Sequence, residues 1–293
     1  VLDLLVKYGA PIDEAYAGST GVIHKAVSTG LLRLVKHCIA LGADPGDHPS
    51  GKAKSFTKKA KFLLYISNPL GALGDGVFTK TREAIALYLI EKGVSVTQGA
   101  PILSAHTLAF AKFLVAHGAD PLVVLEDRWN VSKRCKITKV GQVTDRKFYL
   151  NNVVHAVLDY PEDYSECKGL LEYYLALGAN VNVPNRHDMT PLHFVADKNH
   201  STIILTPVTV GFTDVNIPGY FCGAHGDQDE SKLIELASML LAHGADLDMK
   251  DDEGKTPAEL AEGRRNPELA AYLRKAAEDK QNKSKEKEKI ALE

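Results

Sequence analysis

Residues Ala179–Ala196 read ANVNVPNRHDMTPLHFVA. Two phrases meet in this stretch. Gly178 closes the apolar run Tyr173–Leu177, and Ala179-Asn180 follow it. Further on, Thr190-Pro191-Leu192-His193 opens a second apolar run. A threonine before a proline is a helix start. Its hydroxyl can accept from a first-turn N–H, and proline fits the next position, where no N–H is needed. Leu192, Val195 and Ala196 fall at i, i+3 and i+4, so they share one helix face. Glycine suits the left-handed residue that ends a helix. The stretch therefore reads as a helix end, a turn-rich connection and a new helix.

Working outward, both phrases recur. Leu4–Pro11, Val35–Pro45, Leu87–Ser95, Phe113–Pro121, Tyr173–Asn182 and Met239–Asp248 each run from apolar residues into a glycine. The glycines are Gly9, Gly42, Gly93, Gly118, Gly178 and Gly244, spaced by 33, 51, 25, 60 and 66 residues. The opening phrase returns at Thr256-Pro257. Weaker echoes stand at Val22–Ala26, Ala100–Leu103 and Val153–Ala156. Leu233, Leu236, Ala237, Leu240 and Leu241 form the stripe of an amphipathic helix.

These residues resemble the ankyrin repeat, a unit of about 33 residues with a T-P-L-H-x-A signature. Thr190, Pro191, Leu192, His193, Thr256 and Pro257 carry the resemblance most directly. It implies an all-α fold, an ankyrin-repeat helical solenoid with β-hairpin-like connections and inserted loops. Residues 1–277 are expected to hold one half repeat, five variable repeats and a C-terminal cap. Residues 278–293, dense in Lys and Glu, are expected to form a charged tail.

The irregular spacings locate the insertions. Residues 126–149 are basic, and alternation around Gly141 suggests a hairpin. Residues 201–230 separate the two helices of one repeat. Another basic run spans Lys52–Lys61, before the glycine-rich Gly71–Gly76. Loops this long are usually functional or disordered.

Composition sets the outer limits. Lys and Arg number 35 against 37 Asp and Glu, and the hydrophobic fraction is 45%, as in an average soluble domain. Bulk disorder is not expected. Aromatics do not interleave with the lysines, so nucleic acid is not the expected partner. No run approaches the roughly 20 apolar residues of a membrane span. The chain opens on Val1, with neither Met nor a visible leader, as a fragment would. Four cysteines with no CxxC pair favour an intracellular setting, cytoplasmic or nuclear.

Chemistry is hard to place. Gly71–Gly76 lacks the spacing and the Lys-Ser/Thr of a phosphate loop. Cys222 and His225 offer a pair without further ligands close in sequence, and zinc needs three or four. The expectation is no catalytic residue, no metal and no cofactor.

The resemblance implies protein recognition through hairpin tips and the concave first-helix surface. On this sequence the tips are Asn185, Arg186, His187 and Asp188, then Lys250, Asp251, Asp252 and Glu253. Asn199 and His200 would end a first helix beside the same groove. The expected partner is another protein, bound by a scaffold or adaptor. The alternative is a substrate-targeting module of a larger enzyme or ubiquitin-ligase adaptor.

Overall fold

A computed structural model describes residues 2–10, 12, 22–46, 68–74, 76–124, 152–159, 164–185, 187–198 and 230–292. Several expectations fall outside these residues: the Lys52–Lys61 run, the insert at 126–149, residues 201–229 including Cys222 and His225, and Arg186, Asn199 and His200. The chain divides into two compact units, Val1–Val123 and Val124–Glu293.

The first unit contains α1 (Leu2–Lys7), α2 (Val22–Ser28), α3 (Leu32–Ala40), α4 (Lys80–Glu91) and α5 (Leu108–Ala116). Two 3-10 helices, Pro69–Leu73 and Pro101–Ser104, stand between them. The order of packing defines the repeat. α2, Pro69–Leu73 and Pro101–Ser104 stack on one another as first helices. Each also packs on its own second helix: α3, α4 or α5. Neither half buries its apolar face alone, and the stack does it for both. Ile23, Val27, Val35, Leu70, Leu73, Ile85, Leu89, Phe110 and Leu114 form this core.

The second unit repeats the arrangement with α6 (Val153–Asp159), α7 (Tyr164–Ala176), α8 (Pro191–Ala196), α9 (Glu230–Ala242), α10 (Pro257–Gly263) and α11 (Pro267–Leu292). First helices α6, α8 and α10 stack, as do second helices α7, α9 and α11. Leu158, Leu171, Leu192, Val195, Leu240, Ala261 and Leu269 fill the space between them. Of the stripe expected on α9, Leu233, Leu236, Ala237 and Leu240 are buried. Among the described residues the only extended pairing is an isolated antiparallel bridge, Val124 with Asn152. Each unit is therefore, among the described residues, an all-α stack of helix pairs with the ankyrin-repeat fold that was expected.

The closing glycines do what their spacing implied. All six have positive φ, from 84° at Gly244 to 100° at Gly42. After five of them the next N–H reaches back five residues, as from Ala43 to Cys38 and from Ala245 to Leu240 at 3.0 Å. Each glycine N–H bonds three residues back, which completes a Schellman closure. Before two of these glycines a histidine caps the same helix end. Nδ1 of His117 lies 2.8 Å from the Phe113 carbonyl, and Nδ1 of His243 lies 2.9 Å from that of Met239.

α11 runs unbroken across residue 278, where the sequence places the charged tail. Lys280 Nζ lies 3.0 Å from Asp246 and 3.2 Å from Asp248, so this part of the helix is tied to the hairpin that begins its own repeat.

One buried group is unmatched. Tyr174 on α7 is 1% exposed, and its hydroxyl meets no hydrogen-bond partner among the described residues. Burial pushes its phenol pKa up. A buried hydroxyl without a partner keeps its desolvation cost. Tyr174→Phe is therefore expected to stabilise the protein by about 1 kcal/mol. A rise in the urea midpoint would show it, and a fall would mean that the hydroxyl has a partner in solution.

Candidate functional site

The signature residues work as connectors between repeats. The Thr190 N–H donates to Nδ1 of His193 at 3.1 Å, and the Thr190 hydroxyl lies 2.9 Å from the same nitrogen. Nδ1 accepts, so Nε2 carries the proton and donates to the carbonyl of Lys255 in the next repeat, 3.1 Å away. The pair forms a capping box, as the cap expected at Thr190 implies: the Thr190 side chain takes the backbone N–H of His193, and the His193 ring takes that of Thr190. Thr256 caps in the same way: its hydroxyl accepts from the Glu259 N–H at 3.4 Å, and Glu259 Oε2 accepts in return from the Thr256 N–H at 2.8 Å.

Two asparagines take the threonine position elsewhere. Asn68 Oδ1 accepts from the Leu70 N–H, while Nδ2 donates to the carbonyls of Ser95 and Gln98 at 2.7 and 2.6 Å. Asn152 Oδ1 accepts from the His155 N–H, and Nδ2 donates to Asn180 at 2.7 Å. One amide thus caps a helix and tethers the next repeat. Asn68-Pro69-Leu70 was unreadable as a signature because the threonine it replaces has no such second function.

The two expected tips are turns with the same hydrogen-bond pattern. Asn185 Oδ1 accepts from the N–H groups of His187 and Met189, at 2.8 and 3.1 Å. Asp251 Oδ1 accepts from those of Glu253 and Lys255, at 3.0 and 2.9 Å. Asp188 and Gly254 hold the matching positive-φ positions, 54° and 79°. Asn185 and Asp251 are buried, so these two expected contact residues build the turns. The tips also hold each other. His187 Nδ1 lies 2.8 Å from Asp252 Oδ2, and the Asp252 N–H donates to the His187 carbonyl at 2.9 Å.

Between these tips and the ends of α8 and α10 lies a cleft of about 390 Å³. Its hairpin wall is His187, Asp251, Asp252, Glu253 and Lys255, and its helix wall is Asp197, Lys198 and Arg264. Met189, Phe194 and Leu260 supply apolar surface. Phe194 meets the His155 ring edge-on, with centroids 4.9 Å apart. Arg264 holds Asp197 at 2.6 Å, and Lys255 holds Glu253 at 2.7 Å. Of the expected site residues, the structure therefore brings Asn185, His187, Asp251, Asp252 and Glu253 to one cleft, the first and third of them buried in its turns. Asp188 and Lys250 are exposed but do not line it. Phe194, Asp197, Lys198, Lys255, Leu260 and Arg264 were not expected there. Among the described residues no group of three or more potential metal ligands is assembled.

The Thr-Pro helix start, the first-helix stack and the Schellman closure define an irregular ankyrin-repeat array. No protein-family model matches the sequence, and no curated protein matches it. Among solved structures, the human ASB11 ankyrin repeat domain is 17% identical, over 93% of this chain and 91% of that one, with a TM-score of 0.49. The ankyrin repeat domain of Bcl-3 is 16% identical, over 93% and 90%, with a TM-score of 0.46. A chain from the complex of the Bdellovibrio bacteriovorus predatory endopeptidase Bd0816 with immunity protein Bd3460 is 16% identical, over 88% and 98%, with a TM-score of 0.48. At these scores the likenesses add nothing to what the repeats themselves show.

Proposed function

We propose that this chain is a protein-recognition module, a scaffold or adaptor that binds its partner in the cleft of the second unit. The cleft carries the reading. It joins partly exposed apolar side chains, Met189 and Phe194, to charged hairpin and helix residues around a space of about 390 Å³. Its hairpin wall is held by the side chains of buried Asn185 and Asp251, each bonded to two backbone N–H groups, so less ordering is left to be done on binding. In this reading the chain performs no chemistry of its own. Buried, unbridged Cys38 and Cys167 support an intracellular setting, cytoplasmic or nuclear. No helix among the described residues is long and apolar enough to cross a membrane.

Affinity purification with the tagged chain tests this. Phe194→Ala is expected to reduce recovery of the partner at least tenfold, at a melting temperature that shows the variant folded. Glu172→Lys, exposed on α7 away from the cleft, should recover the same partner as the parent. Equal recovery by parent and Phe194→Ala would refute the cleft.

A further inference from the structure

We infer that the cleft selects a linear peptide segment in which an apolar anchor lies between a Lys or Arg on one side and an Asp or Glu on the other. This rests on the protein-recognition reading above and adds the chemistry of the partner.

The two walls differ in charge. Among Asp, Glu, Lys and Arg, the hairpin wall exposes two carboxylates, Asp252 and Glu253, against one cation, Lys255, while the carboxylate of buried Asp251 is held in its turn. The helix wall has two cations, Lys198 and Arg264, against one carboxylate, Asp197. The cleft is thus negative along one side and positive along the other.

The internal pairs keep this asymmetry. Arg264 lies on Asp197, yet the Asp197 side chain is only 13% exposed and that of Arg264 43%. The partner segment therefore meets the guanidinium rather than the carboxylate. Opposite, the side chains of Glu253 and Asp252 are 67% and 47% exposed. Their carboxylates face solvent even with Lys255 and His187 beside them. The apolar part of the lining comes from partly exposed Met189 and Phe194 and from buried Leu260. An aromatic anchor there adds ring contact with Phe194.

Complementary charge mainly sets specificity, because like charges placed against each other cost binding energy. Two acidic flanks would put one carboxylate against Asp252 and Glu253. Two basic flanks would put one cation against Arg264. Only the mixed arrangement avoids both conflicts.

The test uses four fluorescent, end-blocked synthetic peptides with central Phe and flanks Lys/Glu, Glu/Lys, Lys/Lys or Glu/Glu. Anisotropy is read against the full chain. The expected result is that one mixed peptide binds at least tenfold more tightly than either like-charged peptide. Arg264→Glu should erase that margin and favour Lys/Lys. Arg264→Gln, which changes charge without reversing it, should leave an intermediate margin. Melting temperatures of both variants check the fold. Four equal affinities, or no binding by any peptide, overturn the inference. A margin that survives Arg264→Glu overturns it too. If the peptides bind equally and Phe194→Ala abolishes binding, the recognition reading stands and only the flank chemistry fails. If Phe194→Ala also leaves partner recovery unchanged, both fail.

Discussion

Gly74→Ala is expected to destabilise the first unit by about 3 kcal/mol, the upper end of what overpacking usually costs. Gly74 follows the 3-10 helix Pro69–Leu73, with an ordinary helical φ of −69°. Backbone conformation alone would welcome alanine there. Sterics oppose it. A Cβ would stand 2.7 Å from the carbonyl carbon of Ser104 and closer still to its oxygen. Ser104 ends the next first helix, Pro101–Ser104, so the obstacle is backbone held by the stack. Relief requires moving two adjacent first helices apart. The useful control is Gly42→Ala. A Cβ at Gly42 meets nothing within 4 Å, but its φ is 100°. That change should cost about 1 kcal/mol, as left-handed strain alone. Hydrogen exchange of peptides covering residues 68–104 would separate the two. Unchanged exchange in Gly74→Ala would show that the helices can separate at no cost.

The contrast between Gly74 and Gly42 explains how far the sequence could be read. A left-handed helix end leaves a mark in one residue type at one place, so Gly42, Gly178 and Gly244 announced the repeat. Thr190-Pro191 did the same for a helix start. Gly74 is glycine because of Ser104, which lies 30 residues on, and no local pattern records that. Gly71–Gly76 could be tested only against a phosphate loop, and once that failed it had no reading. The Asn68 side chain shows the same limit, since its partners Ser95 and Gln98 belong to the next repeat.

The candidate site divides along the same line. His187, Asp252 and Glu253 sit at turn tips, and turns are visible in sequence. Asn185 and Asp251 looked equally exposed there, because an Asx residue that builds a turn and one that decorates it have the same composition. Phe194 and Arg264 enter the cleft only because α8 and α10 stack side by side, 66 residues apart by the Thr190–Thr256 repeat. Nothing in either helix alone marks them.

Acid is expected to destabilise the second unit between about pH 6.5 and pH 4, before most carboxylates protonate. His155 on α6 is fully buried, and burial pulls its pKa down to about 4, with the Met189 carbonyl acting the other way. Burial likewise lowers His193, against the Lys255 carbonyl, Asp251 and Asp197. In the unfolded chain each would titrate near 6.5. The folded pKa is the lower one, so between the two values the unfolded state holds more protons. Stability is then fully present above about pH 6.5 and is lost as the pH falls towards the folded value. For His155 a fall from 6.5 to about 4 amounts to about 3 kcal/mol. Its ring meets Asn152 Oδ1 at 2.8 Å, the Met189 carbonyl at 3.2 Å and the edge of Phe194, so no carboxylate among these contacts offsets the buried charge. The carboxylates held low by their partners, Glu235, Asp246, Glu253 and Glu259, lose their contribution mainly below this window. Urea midpoints across pH 4–7 measure the slope, which counts protons taken up on unfolding. His155→Gln should flatten it by close to one proton while lowering stability at neutral pH. A variant slope equal to that of the parent would mean that His155 titrates in the folded protein as it does unfolded.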